Sequence, residues 1–208
     1  MDAEQPEITW HKSLEQYISD TGEKCQGLAW MHKKAEAVYS FKRTFVDLPV
    51  IVMSGLVGFL NVGSTNIFGE NQAQMSSITL GSMSLFVSIL NSIGSYYSWG
   101  KRAEAHRISN LQYSRLYRDI VVELNLPRSE RKQPGPMLKD IKDQFDRLQE
   151  ISPLIPEKII SEFKRTFDAQ TDISKPQETN GLHDIAIYPD DVATPSAFPV
   201  NNEVAEKI

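Results

Sequence analysis

From Leu48 to Gly100 the chain carries a single formally charged residue, Glu70. The stretch LPVIVMSGLVGFLNVGSTNIFG, residues 48–69, is free of charge. So is Asn71 to Gly100, whose apolar centre runs from Met75 to Ile93. A membrane-crossing helix needs roughly 20 mostly apolar residues, whereas an apolar run of about 10–14 residues is more typical of a soluble core helix. These runs are longer, and the rest of the chain offers no comparable apolar mass to bury them. The pattern predicts an integral membrane two-helix hairpin, with spans at 48–69 and 75–98 and an exposed loop at 70–74.

The flanks orient it. Lys33, Lys34, Lys42 and Arg43 precede the first span, and Lys101, Arg102 and Arg107 follow the second. The connecting loop from Gly63 to Gln74 has no Lys or Arg. Lys and Arg concentrate on the cytoplasmic side of membrane spans. Both termini are therefore expected in the cytoplasm, with Lys42, Arg43, Lys101, Arg102 and Arg107 as membrane-surface anchors.

A mean hydropathy of -0.34 describes a soluble chain on average, because the polar remainder dilutes the hairpin. The net charge of -5 is uneven too. From Gln170 onward seven acids stand against two lysines, so this tail carries all of it. No basic surface points to nucleic acid. The lone Cys25 can form no disulfide within the chain and offers no metal-binding pair. The polar first 47 residues contain no apolar signal segment, and the sequence shows no acylation, prenylation or N-glycosylation motif.

In chain order, 1–23 reads as a loose N-terminal segment, with at most a short helix interrupted by Gly22 and Gly27. Residues 24–47 have helical periodicity through Leu28, Met31, Ala35, Val38 and Tyr39. Pro49 marks either a new helix start or a kink. Between Lys101 and Leu126 there is no Pro or Gly. The second span is therefore expected to run on through 99–126 as one rod, about 75 Å long from Ser77. Packing against 24–47 would make an antiparallel cytoplasmic helical stalk. Residues 127–169 predict two short amphipathic helices, marked by Leu138, Ile141, Phe145 and Leu148 and by Ile159, Ile160, Phe163 and Phe167. Acids and bases mix on their polar faces, which favours docking on protein over lying on a membrane. Residues 170–208 read as a disordered acidic tail. The fold class is all-α.

Small and polar residues recur along both spans. In the second they are Ser77, Gly81, Ser84, Ser88, Asn91, Ser95 and Ser98, at alternating steps of four and three. In the first they are Ser54, Gly58, Asn61 and Thr65. A 3.5-residue repeat places each set on one helix stripe. Three readings stand: a contact seam within and between protomers, a water-lined pore in an oligomer, or the accident of a Ser-rich span. With span centres near Val57 and Val87, Gly58 is expected to pass Ser84 or Ser88.

No metalloprotease, nucleophile-elbow or phosphate-loop motif is present, and no catalytic residue, cofactor or metal ligand is assigned. His32 and His106 fall on the two stalk helices. By helical rise they stand about 24 Å and about 12 Å from their spans, at different heights.

Three stretches carry a family likeness: LAWMHKKAEAVYSFKRTFVDLPVIVMSGLVGFLNV, WGKRAEAHRISNLQYSRLYRDIVVELNLPRSER and IKDQFDRLQEISPLIPEKIISEFKRTF. They resemble small two-transmembrane proteins encoded by large DNA viruses of algae and protists. The plan also looks like the SLATT families, two-span domains with a long helix after the second span. The resemblance implies a non-enzymatic, homo-oligomeric component of a viral or infected-cell membrane, with the lipid bilayer and other membrane proteins as partners. The alternative it implies is a SLATT-type pore-forming effector or small channel.

Overall fold

The computed structural model describes residues 8–63, 73–171 and 173–180. Within them the protein is all-helical: α1 (Lys12–Val62), α2 (Ala73–Tyr97), α3 (Trp99–Leu124), α4 (Pro134–Ile151), α5 (Glu157–Phe167) and the short α6 (Gln177–Asn180).

Helix α1 starts earlier than its sequence suggests and does not break. The His11 ring nitrogen caps it by accepting from the Leu14 amide at 3.1 Å. Residues 12–23, expected to be loose, form its first three turns. Gly22 and Gly27 are contact points rather than interruptions. A Cβ at Gly22 would lie 3.1 Å from Ile120 Cγ2, and one at Gly27 only 2.8 Å from the Pro176 ring. Tertiary contact outweighs the roughly 1 kcal/mol that each helical glycine costs. Pro49 likewise lies within the continuous helix and starts no new one.

The rod expected after the second span does break, at one residue. Ser98 is left-handed (φ 50°) between α2 and α3, and its hydroxyl donates to the Ser95 carbonyl at 2.8 Å.

Helix α1 runs antiparallel to α2 and α3. Val46 meets Gly94, Arg43 lies against Gly100, and Gly22 abuts Ile120. The two ends of this long pair differ. Toward the N-terminus of α1, Ile18, Cys25, Leu28, Met31 and Ala35 are buried against Tyr113, Leu116 and Ile120. Helices α4 and α5 fold back onto this end. They bury Met137, Ile141 and Leu148, and Ile159 and Phe163, so both dock on protein. Trp30 sits edge-on to Phe163 and Phe167 at 5.6 and 5.4 Å.

Part of the tail expected to be disordered also docks. Pro176 is buried against Gly27, and the Ser174 amide donates to Glu23 Oε2 at 2.6 Å. Residues 181–208 lie outside the described residues. At the other end of the pair no third helix arrives among the described residues.

Candidate functional site: the bare helix pair and the cleft at its base

Both helices contain windows long and apolar enough to cross a membrane, with mean hydropathies of 1.9 and 1.4. Only 6% and 11% of those windows are buried. Ile51 and Phe59 are each 70% exposed, and Leu85 is 64% exposed.

The line along which α1 and α2 touch is apolar. Val46, Val50, Met53, Val57 and Leu60 are half-buried on α1, facing Leu80, Met83, Val87, Leu90 and Gly94 on α2. The small-residue stripes are displaced from it by one residue. Ser54, Gly58 and Asn61 each follow a contact residue, as do Ser77, Gly81, Ser84, Ser88, Asn91 and Ser95, and all are exposed. A Cβ added at Gly58 or Gly81 would meet nothing within 4 Å. Within one chain, then, the stripes are not the contact seam, and Gly58 does not pack on Ser84 or Ser88. The repeat is legible in the sequence, and the contact line within one chain runs one residue, about 100° of helix rotation, away from it. Thr65 lies outside the described residues, as does most of the connecting loop.

Because the helices are antiparallel, a step of +1 from the contact line turns each stripe toward the same side of the pair. The two stripes therefore form one face. Off that face, Thr79, Ser82 and Ser92 donate to carbonyls four residues back at 2.8–2.9 Å. This satisfies their hydroxyls within their own helix.

At the base of the face lies a cleft of about 490 Å³. Asp47, Arg43, Trp99, Gly100, Lys101 and Glu104 line it, with Val46 and Leu90 toward the bare helices and Asn91 and Ser95 between. Of the expected surface anchors, Arg43 and Lys101 reach this cleft. Arg43 pairs with Asp47 at 3.0 Å. Lys42 lies over the Tyr39 ring, and Arg107 pairs with Glu104 at 3.2 Å.

Deeper in the bundle, His32 and His106 do meet, contrary to their expected heights: their Nδ1 atoms are 2.8 Å apart. Helical rise alone makes Leu48 and Ser98 level, whereas the register sets Ser98 opposite residues near Arg43. That offset removes about 8 Å of the expected difference, and the reach of the two rings removes the rest. Tyr113 stacks on His32 and Tyr39 on His106 at 5.6 and 5.4 Å, making a column of four rings. One imidazole donates and the other accepts, which requires the acceptor to be neutral. Burial, with the charge of His106 at His32 and of Arg102 at His106, holds both well below the usual histidine range, at about 4, so both are neutral at neutral pH. Burial pushes the Cys25 thiol up to about 12, out of the range of reactive thiols. Among the described residues no group of three His, Cys, Asp or Glu could hold a metal ion.

No protein-family model, curated protein or solved structure matches the chain.

Proposed function

We propose that this chain is a two-span integral membrane protein that acts through assembly rather than catalysis, as an oligomeric component of a viral or infected-cell membrane. The carrying observation is the exposure of the apolar windows. A soluble core helix of that hydropathy would be mostly buried, and only 6% and 11% of these windows are. Burying apolar surface is worth about 25 cal/mol per Å², so something beyond the described residues must cover it. Lipid is the occupant that suits two apolar rods lying side by side. The Lys/Arg asymmetry supports cytoplasmic termini.

The shared small-residue face supports self-association. Without a hydrophobic drive between helices in lipid, close approach of small residues is what joins them. Gly58 and Gly81 lie open on this face and admit a second copy's backbone. The alternative, a SLATT-type pore, draws on the same face, because Asn61 and Asn91 would line the axis if copies ringed it. The family likeness supports either.

The test is cross-linking and liposome flux on Gly81→Leu, Ser88→Leu and Asn91→Leu in the reconstituted chain. Gly81→Leu and Ser88→Leu should abolish the oligomer while leaving the chain folded. Parental assembly in both would defeat the interface. Flux by the parent that Asn91→Leu suppresses would favour the pore; a tight parent would leave the structural component.

A further inference from the structure

We infer that the cleft at the base of the bare pair binds the headgroup of a zwitterionic aminophospholipid, with phosphatidylethanolamine as the fitting chemistry. The inference rests on the membrane reading above. Three observations carry it. First, the cleft is a real volume, about 490 Å³, within the roughly 300–1,000 Å³ usual for small-ligand sites. Second, its charged lining is balanced: Arg43 and Lys101 against Asp47 and Glu104. A headgroup carrying both a phosphate and an ammonium matches that set, whereas a purely anionic one would meet two carboxylates. Lys101 and Glu104 are three residues apart on one face of α3; Glu104 is held by Arg107 at 3.2 Å and Asp47 by Arg43 at 3.0 Å, both in exposed pairs into which a headgroup's ammonium and phosphate can exchange. Gly100 makes room, since a side chain there would stand 3.3 Å from the Arg43 Cδ and Nε atoms.

Third, the cleft is amphiphilic along its length. Its Val46 and Leu90 wall is followed, on the same side of the pair, by the exposed Ile51. A water-soluble phosphate has no use for such a wall; an acyl chain does. Trp99 lines the polar end and stacks on Tyr97 at 5.0 Å, where amphipathic rings sit at a headgroup boundary.

The experiment uses the full chain reconstituted in vesicles of equal parts phosphatidylethanolamine, phosphatidylglycerol and diacylglycerol, extracted into mild detergent. Retained lipid is counted by native mass spectrometry. Phosphatidylethanolamine should be retained about fivefold over the other two, the scale of one partly exposed charge-assisted bond. Arg43→Gln and Lys101→Gln should lower retention of both phospholipids. Glu104→Gln should bring phosphatidylethanolamine down to the phosphatidylglycerol level without changing the latter. Arg115→Gln, in the bundle, should change nothing. Equal retention of diacylglycerol, or retention that none of the three cleft variants alters, would overturn the site. Displacement of the lipid by millimolar glycerophosphoethanolamine would overturn the lipid as its source. Carbonate washing of the vesicles separates the two layers of argument. If the parent is washed off, the membrane reading and the site fail together; if it stays while retention is flat, the site alone fails.

Discussion

The same two helices build two different surfaces. In the bundle, α1 and α3 cover each other's apolar stripes and recruit α4 and α5 to finish a core that includes Ile18, Met31, Tyr113 and Ile120. In the bare pair, α1 and α2 touch along one narrow apolar line and leave Ile51, Phe59 and Leu85 outside. The bundle pairs one apolar stripe per helix with charged outer faces, the pattern of a helix that folds in water. The bare pair is apolar on nearly every face except the small-residue one, and the membrane reading proposed above assigns that outer surface to lipid. A core built in water is sensitive to lost volume and to buried charge; a surface that faces lipid should be indifferent to both.

The largest expected effect tests that contrast directly. Ile120 is buried against Gly22, so Ile120→Ala should destabilise the bundle by about 2–5 kcal/mol. Leu85→Ala, an equal truncation on the bare pair, should change it by less than about 0.5 kcal/mol. Near-UV circular dichroism of the Trp30 and Tyr113 environments during thermal unfolding of the detergent-solubilised chain reads both. Equal losses would erase the distinction between the two regions.

Next is acid. The folded pKa of both buried histidines is about 4, below the ordinary 6.5, so the unfolded chain binds more protons between those values. Stability from the pair is therefore fully present above pH 6.5 and lost as pH falls toward 4. The loss is up to about 1.4 kcal/mol per pH unit for each ring. The melting temperature should fall across that window in the parent and hold steadier in a His32→Gln, His106→Gln double variant. A parent whose melting is flat from pH 7 to 4.5 would contradict a neutral pair.

A smaller effect is expected where the tail docks. Gly27→Ala places a methyl 2.8 Å from the Pro176 ring, and overpacking of this kind costs about 1–3 kcal/mol. The cost should fall on residues 173–180 rather than on the bundle. Faster amide exchange at Ser174, with Ile120 unchanged, is the expected signature.

The smallest is the ion pair at the bundle's far end. Glu15 accepts from Arg128 and Arg131 at 2.6–2.8 Å, which holds its carboxyl down near 2. Its contribution is present above about 4.5 and lost as pH falls toward 2. Glu15→Gln should cost about 1 kcal/mol at pH 7, because the site is partly solvated. That cost should fade in melts at pH 3.

Much of this molecule is local information. The all-helical character, the two long apolar windows and the 3.5-residue repeat of small residues follow from composition and spacing, which depend only on the geometry of a single helix. The amphipathic marks at Ile141, Leu148, Ile159 and Phe163 likewise name residues that the bundle buries. What spacing cannot supply is the rotation and axial offset of one helix relative to another. Those are set by which side chains interlock, and they decided the rest. The rotation put Val57, Val87 and Leu90 on the contact line and turned Gly58 and Gly81 outward. The offset brought His32 level with His106. The close approaches of Gly22 to Ile120 and Gly27 to Pro176 made contact points of residues that read locally as helix breakers, because a missing Cβ has value only where another element comes near enough to use the space.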